Sequence, residues 1–434
     1  MRARLPGLAR GMGWKLGADL VARVLQYVLL WAAARSLGQA DFGDFTFALS
    51  IGYMLAQVAD FGLQLFVQRE LARLAIPAAV GRPYFMDEAA AARLVGGGLV
   101  IKAGLSVAAM LLMAVLVLVE PVGNKAPLLL IGFSMVLMTG LDYLSYCFRA
   151  LRRLEYEATA IVVARCTNLL LGLGLLYVGA AVWGLAVASN LAMLAALAFS
   201  YNRLLRYVRP DWRPDWTYWR RVGMQPTALG IGMVFSIISF RVDNLLIPPL
   251  VSRDALGVYN VAYKLYEPSL IIPSVVLAAT FPLLSQAAKP THEAGGLRDL
   301  LGQTSLLLFG LGLAATLALA LFAVPVISLL YGEQYAASAP LLQVLAFGCL
   351  PMYLNYGLTH ALIAMDKPHL YAAFTLLTLA VNVILNLALL PSIGTAGAAW
   401  ATVTTEASLL ALCAAAVLRQ VARMPAPAVA EGPL

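Results

Sequence analysis

The sequence predicts an all-α, polytopic membrane protein with about twelve transmembrane helices in two six-helix halves. Three observations predict it. Of 434 residues, 62% are apolar and 12% charged, against roughly 25% charged in a soluble domain. Apolar runs of the length that crosses a bilayer's hydrocarbon layer recur along the whole chain. The basic residues alternate from one connecting segment to the next. This composition excludes a soluble enzyme, a disordered protein and a disulfide scaffold, because only lipid can solvate so much apolar surface.

The elements follow in order. A basic start with Arg2, Arg4, Arg10 and Lys15 precedes a first span at 14–34. Ala32-Ala33-Ala34 mimics a signal-peptidase site, but Asp19 and Arg23 interrupt the apolar core, which predicts an uncleaved span. Runs at 43–68, 94–118, 126–148, 158–178 and 180–201 complete the first half. Runs at 222–248, 254–287, 302–330, 340–363, 368–390 and 395–418 make the second. The expected organisation is a six-helix lobe over 1–208, a cytoplasmic-surface linker over 209–221, a six-helix lobe over 222–423 and a disordered tail over 424–434.

Of the 30 Lys and Arg residues, 22 fall at the termini and in every second connection, and the other connections hold Arg35, Lys125 and Arg253. Basic residues are retained on the cytoplasmic side, so both termini are expected there. The outer connections are very short, which argues against a membrane glycosyltransferase or polymerase needing an external catalytic loop. The segment before the second half carries Arg203, Arg206, Arg209, Arg213, Arg220 and Arg221 with Trp212, Trp216, Tyr218 and Trp219. Arginine with tryptophan suits the headgroup layer. The other reading is a docking site for anionic lipid or a biosynthetic enzyme.

The halves repeat at an offset of 214 residues: Gly43 falls on Gly257, Phe45 on Tyr259, Ala48 on Ala262, Phe133 on Phe347 and Asn168 on Asn382. Six helices duplicated in parallel imply a substrate path between the halves. Cys147, Cys166, Cys349 and Cys413 read as packing residues, and His292, His360 and His369 do not cluster. No metal site, cofactor motif, nucleotide loop or nucleic-acid-binding surface is expected.

Ionisable residues inside spans are costly and mark function. The basic ones are Arg23, Lys102, Arg165, Arg241 and Lys264, and the acidic ones Asp19, Asp60, Asp142, Asp243, Glu267 and Glu406. Asp19 with Arg23, and Lys264 with Glu267, sit at spacings that share a helix face. Arg241 and Asp243 point apart, which leaves Arg241 without its neighbour. Arg241, Lys264 and Arg23 are the candidate substrate-facing cations. Asp60, Glu267 and Glu406 are the candidate ion-coupling carboxylates. Pro268 follows Glu267, and spans seven and eight are expected to kink there and at Pro248-Pro249.

Leu37-Gly38-Gln39-Ala40-Asp41-Phe42-Gly43-Asp44-Phe45, Ala59-Asp60-Phe61-Gly62-Leu63, Arg241-Val242-Asp243-Asn244, and Asn382 to Asn386 with Gly394-Thr395-Ala396-Gly397 resemble the Wzx-type polysaccharide flippases. Their superfamily also holds multidrug exporters and the lipid II flippase. The resemblance covers nearly the whole chain. It implies two lobes in a V around a central cationic cavity and alternating access. The implied cargo is an undecaprenyl-pyrophosphate-linked oligosaccharide, moved across a bacterial inner membrane for surface polysaccharide assembly. It implies service to glycosyltransferases and a polysaccharide polymerase, with a possible proton or sodium couple. Pro248-Pro249 departs from the family's small, glycine-containing stretch. The alternative is a proton- or sodium-coupled cation antiporter of the same superfamily.

Overall fold

The computed structural model describes residues 5–60, 63–76, 84–85, 87–119, 125–213, 219, 235–288 and 294–422. The first half of the expected span 222–248, and the tail, lie outside them. The described residues are almost all helical. Their one strand pair is Ala75–Ile76 with Tyr84–Phe85, antiparallel. Nine helices among the described residues are long and apolar enough to cross a membrane, or ten if a bent pair counts as one span. The expected span at 43–68 is a helix over Gln39–Asp60, which carries Asp41, Asp44 and Asp60 and is not among the nine.

The chain divides into two compact units, Met1–Pro226 and Thr227–Leu434. In the first unit the helices are α1 (Leu5–Ser36), α2 (Gln39–Asp60), α3 (Leu63–Leu74), α4 (Glu88–Val119), α5 (Lys125–Ala150), α6 (Leu154–Tyr177) and α7 (Ala181–Leu204). Helix α5 packs against α2, α3, α4 and α7. Lipid offers no hydrophobic drive between helices, so close packing of small residues must hold them. Ala160 and Ala164 of α6 meet Ala196 of α7 in one buried cluster. Val107, Leu111, Val115 and Leu118 of α4 are exposed at helical spacing, as a lipid-facing stripe requires.

The second unit holds α8 (Val242–Leu250), α9 (Arg253–Tyr266), a 3-10 turn (Glu267–Leu270), α10 (Ile271–Ala287), α11 (Ala294–Tyr331), α12 (Ser338–Ala346), α13 (Cys349–Ala364), α14 (Pro368–Ile393) and α15 (Thr395–Ala422). Pro268 has no N–H to return to the Lys264 carbonyl. The winding tightens to the 3-10 turn at that point. Helices α12 and α13 meet at 41°.

The repeat is written into the backbone. Helices α2, α6 and α7 begin at 39, 154 and 181, and α9, α14 and α15 begin 214 residues later at 253, 368 and 395. Arg152, after α5, has φ of 57°, and Asp366, after α13, has φ of 56°. The following N–H bonds closed carbonyls at matching positions, Arg153 to Phe148 at 2.9 Å and Lys367 to Leu362 at 2.9 Å. Both are helix ends closed by a left-handed residue, of the Schellman type.

Within the 209–221 segment, Trp219 is buried in the first unit's core, 5.4 Å from the Phe66 ring. Its seat is made by missing side chains. A Cβ on Gly97 would stand 2.5 Å from Trp219 Nε1, and one on Gly96 only 1.9 Å from the Asp211 carbonyl oxygen. Asp211 N–H donates to the Ala92 carbonyl at 3.0 Å.

Candidate functional site

Charge inside the second unit gathers where α8, α9 and the 3-10 turn meet. Ser252 caps α9 by accepting from Ala255 N–H at 3.0 Å. The helix then presents Tyr259, Tyr263 and Tyr266 as a buried ladder with ring centroids 5.8 and 5.7 Å apart. Beside it, Glu267 accepts from Lys264 Nζ at 2.6 Å and from Arg241 Nη2 at 2.9 Å. Two cations thus share one carboxylate. The side chains of this triad are 12–27% exposed, and Lys264 and Glu267 lie within the stretch Arg253–Phe281, long and apolar enough to cross a membrane. The spacing argument correctly separates Arg241 from Asp243. It does not find Glu267, which reaches Arg241 from the next helix.

Asp243 lies instead in a sealed polar cluster. Tyr259 Oη donates to Asp243 Oδ2 at 2.6 Å, and Asn386 Nδ2 donates to Oδ1 at 2.8 Å. The Thr402 hydroxyl stands 3.1 Å from both Asp243 Oδ2 and the Ala398 carbonyl. Asn382 continues the chain, with its Oδ1 3.1 Å from Asn386 Nδ2 and its Nδ2 donating to Thr405 at 3.1 Å. Hydroxyl and amide donors from α9, α14 and α15 thus converge on the Asp243 carboxylate of α8. A hard monovalent cation, which takes oxygen ligands, would bind this carboxylate in exchange for those donors. Asp243 and Asn386 are absent from the sequence-derived candidates. The Asn382–Asn386 pair in the family motif was the available signal.

Glu406, in the middle of α15, accepts from Asn355 Nδ2 of α13 at 2.7 Å. The same nitrogen donates to the Glu406 carbonyl at 2.9 Å. The carboxylate is buried against an amide rather than a cation.

In the first unit, Asp60 accepts from Lys102 Nζ at 2.7 Å, and both residues are buried. Asp142 stands in electrostatic reach of this pair and of Arg165. Asp60 therefore already holds a cation, the lysine's own. Arg23 is exposed on α1 and does not take Asp19. Asp19 pairs with Lys15 at 3.0 Å, and Lys15 also reaches Glu157 at 2.9 Å. Glu157 has no exposed side-chain surface and receives Arg149 at 2.6 Å as well. Among the described residues no ion pair holds Arg23, and no group of three or more His, Cys, Asp or Glu stands ready for a metal.

The family profile described as polysaccharide biosynthesis protein matches residues 8–288. The chain belongs to this family. A second profile, described as lipid II flippase MurJ, matches residues 220–430, within which the triad and the Asp243 cluster lie. The chain is 22% identical over 160 residues to a probable low-salt glycan biosynthesis flippase, Agl15, of Haloferax volcanii, covering 37% of this chain and 34% of that one. It is 27% identical over 177 residues to an uncharacterized membrane protein of Methanocaldococcus jannaschii, covering 40% and 34%. The chain thus spans about a third of the length of these curated relatives.

Solved structures share the fold. An inward-facing multidrug resistance transporter of the MATE family aligns with a TM-score of 0.73 at 15% identity, covering 92% of this chain and 94% of that one. A superfamily transporter of Pyrococcus furiosus, described as having a binding pocket of reverse polarity, aligns at 0.58 and 14% identity, covering 96% and 94%. This member of the polysaccharide biosynthesis family is therefore a multi-pass membrane protein with the two-lobed fold of the multidrug and polysaccharide exporters.

Proposed function

We propose that this protein is a flippase for a polyprenyl-pyrophosphate-linked oligosaccharide, undecaprenyl-linked in a bacterial inner membrane. It carries the glycan from the cytoplasmic to the outer leaflet by alternating access and has no catalytic chemistry of its own. Both termini face the cytoplasm in this reading, and glycosyltransferases and a polymerase act before and after it. The observation that carries it is Glu267 shared by Arg241 and Lys264. A pyrophosphate entering a low-dielectric membrane interior needs positive groups held ready in water-accessible positions. Six intramembrane acids against five bases do not make a cationic interior by counting. Pairing does not change that sum but distributes it: Lys102 neutralises Asp60, neutral donors hold Asp243 and Glu406, and Arg241 and Lys264 converge on the single carboxylate of Glu267. Arg23, exposed on α1, is the third cation of this reading. The Polysacc_synt and MurJ matches and the glycan flippase of Haloferax volcanii support the same class.

The test is a flipping assay in proteoliposomes with a fluorescent undecaprenyl-pyrophosphate oligosaccharide. Protein-dependent flipping that Arg241→Ala abolishes is expected. Undiminished flipping in that variant would remove the triad from the path.

The oxygen cluster around Asp243 favours a second reading of one component, sodium or proton coupling. A cation held there would link transport to an ion gradient. The carboxylates Asp60, Glu267 and Glu406 are the other coupling candidates, held by Lys102, by two cations and by an amide respectively. Cation export driven by a gradient, with no glycan flipping, would make the protein an antiporter instead.

A further inference from the structure

The first unit carries a surface that the transport reading does not use. It forms where the turn after α5 meets the end of α7 and the 205–213 segment. Arg153 lies over the Tyr207 ring at 5.5 Å and Arg203 over Tyr156 at 5.9 Å. The two phenol oxygens are 3.3 Å apart, which ties the turn to the segment. Around this frame Arg152, Arg206, Arg209 and Arg213 are exposed. Trp212 is 54% exposed, its ring 6.3 Å from Tyr201. Among the described residues two carboxylates join them: Glu155, 3.5 Å from Arg153, and Asp211, which accepts from the Arg213 N–H. The nearby Glu157 is fully engaged by Arg149 and Lys15.

Two further observations separate this surface from ordinary topological basic charge. The 205–213 segment is fixed, since the Asp211 backbone sits on Gly96 and bonds Ala92. The second unit builds the same turn on the same backbone, with other residues at the matching described positions. Asp366 and Lys367 replace Arg152 and Arg153, Leu370 replaces Tyr156, and Val417 replaces Arg203. Arginine and aromatics were added to one copy of a shared frame.

We propose that this arginine–aromatic surface binds the phosphate of anionic phospholipid headgroups. It sits where α6 begins and α7 ends, the level at which apolar helices leave hydrocarbon and meet the phosphate layer. Guanidinium forks match phosphate oxygens in two-point hydrogen bonds. Stacking on tyrosine holds Arg153 and Arg203 in place, so a headgroup has less side-chain motion to arrest. Trp212 fills the interfacial position beside it.

Quenching of tryptophan by brominated lipid tests this. The full chain is reconstituted in phosphatidylcholine containing equal mole fractions of brominated phosphatidylglycerol or brominated phosphatidylcholine. Brominated phosphatidylglycerol is expected to quench more strongly, and Trp212→Phe to remove that excess. Arg206→Gln with Arg209→Gln should lower the preferential occupancy by roughly an order of magnitude, while Arg419→Gln in the second unit leaves it unchanged. Equal quenching by both lipids, or an excess that survives the double arginine variant, would overturn the proposal. Loss of the excess on adding millimolar glycerol phosphate would also overturn it, in favour of a free phosphate site.

Discussion

Lys102 Nζ lies 2.7 Å from Asp60 Oδ1, joining α4 to α2 with both side chains sealed from solvent. A buried ion pair gives little net stability as a pair, but removing one member leaves an uncompensated charge at a cost of about 3–5 kcal/mol. Lys102→Met is therefore expected to lower the thermal unfolding midpoint sharply. Lys102→Met with Asp60→Asn should recover most of the loss. A midpoint unchanged by the single substitution would show that Asp60 finds another partner.

Arg241 and Lys264 should behave as one unit. Removing either leaves Glu267 with one of its two cations, so either change alone undoes the shared arrangement. Arg241→Ala and Lys264→Ala are each expected to slow initial flipping by about tenfold or more, equal to about 1.4 kcal/mol in the barrier. The double variant should add little, the non-additivity expected of residues sharing one partner. Strictly multiplicative losses would mean that the two cations contact the cargo independently.

Asp243 predicts a cation-specific stability. If the surrounding oxygens hold sodium, stability rises with sodium concentration by RT ln(1 + [L]/Kd) at constant ionic strength. Unfolding midpoints measured in sodium against choline should separate for the wild type and coincide for Asp243→Asn. Coincidence in the wild type would leave the cluster a structural hydrogen-bond network.

Gly96 predicts a local displacement. A methyl group there collides with the Asp211 backbone, whereas Gly104 on the same helix has open space. Gly96→Ala should lift the 211–219 segment and shift tryptophan emission to the red as Trp219 reaches water. Gly104→Ala should be silent. Unshifted emission in Gly96→Ala would show that α4 itself yields.

The parts of this chain set by local periodicity were legible in advance. The helix starts at 39, 154 and 181 recur 214 residues later, as the paired glycine, aromatic and asparagine positions imply. Lys264 and Glu267 meet because three residues make nearly one helical turn. What escaped was choice among equals and contact at a distance. Asp19 has a base one turn before it and another one turn after. Glu157, buried on α6, selects Lys15 rather than Arg23. Glu267 reaches Arg241 from another helix, and no local spacing reports that. Trp219 has an interfacial composition around it, but Gly97, far earlier in the chain, leaves it a seat inside, and Gly96 admits the Asp211 backbone beside it.

The left-handed turns at Arg152 and Asp366 hold residues of opposite charge on one backbone. Such a turn is a socket, indifferent to what is plugged into it. Exchanging Arg152-Arg153 with Asp366-Lys367 should therefore leave both helix ends closed while changing the charge carried at each turn. The duplication has left the molecule two interchangeable mounting points, whose local charge can be exchanged without rebuilding the scaffold.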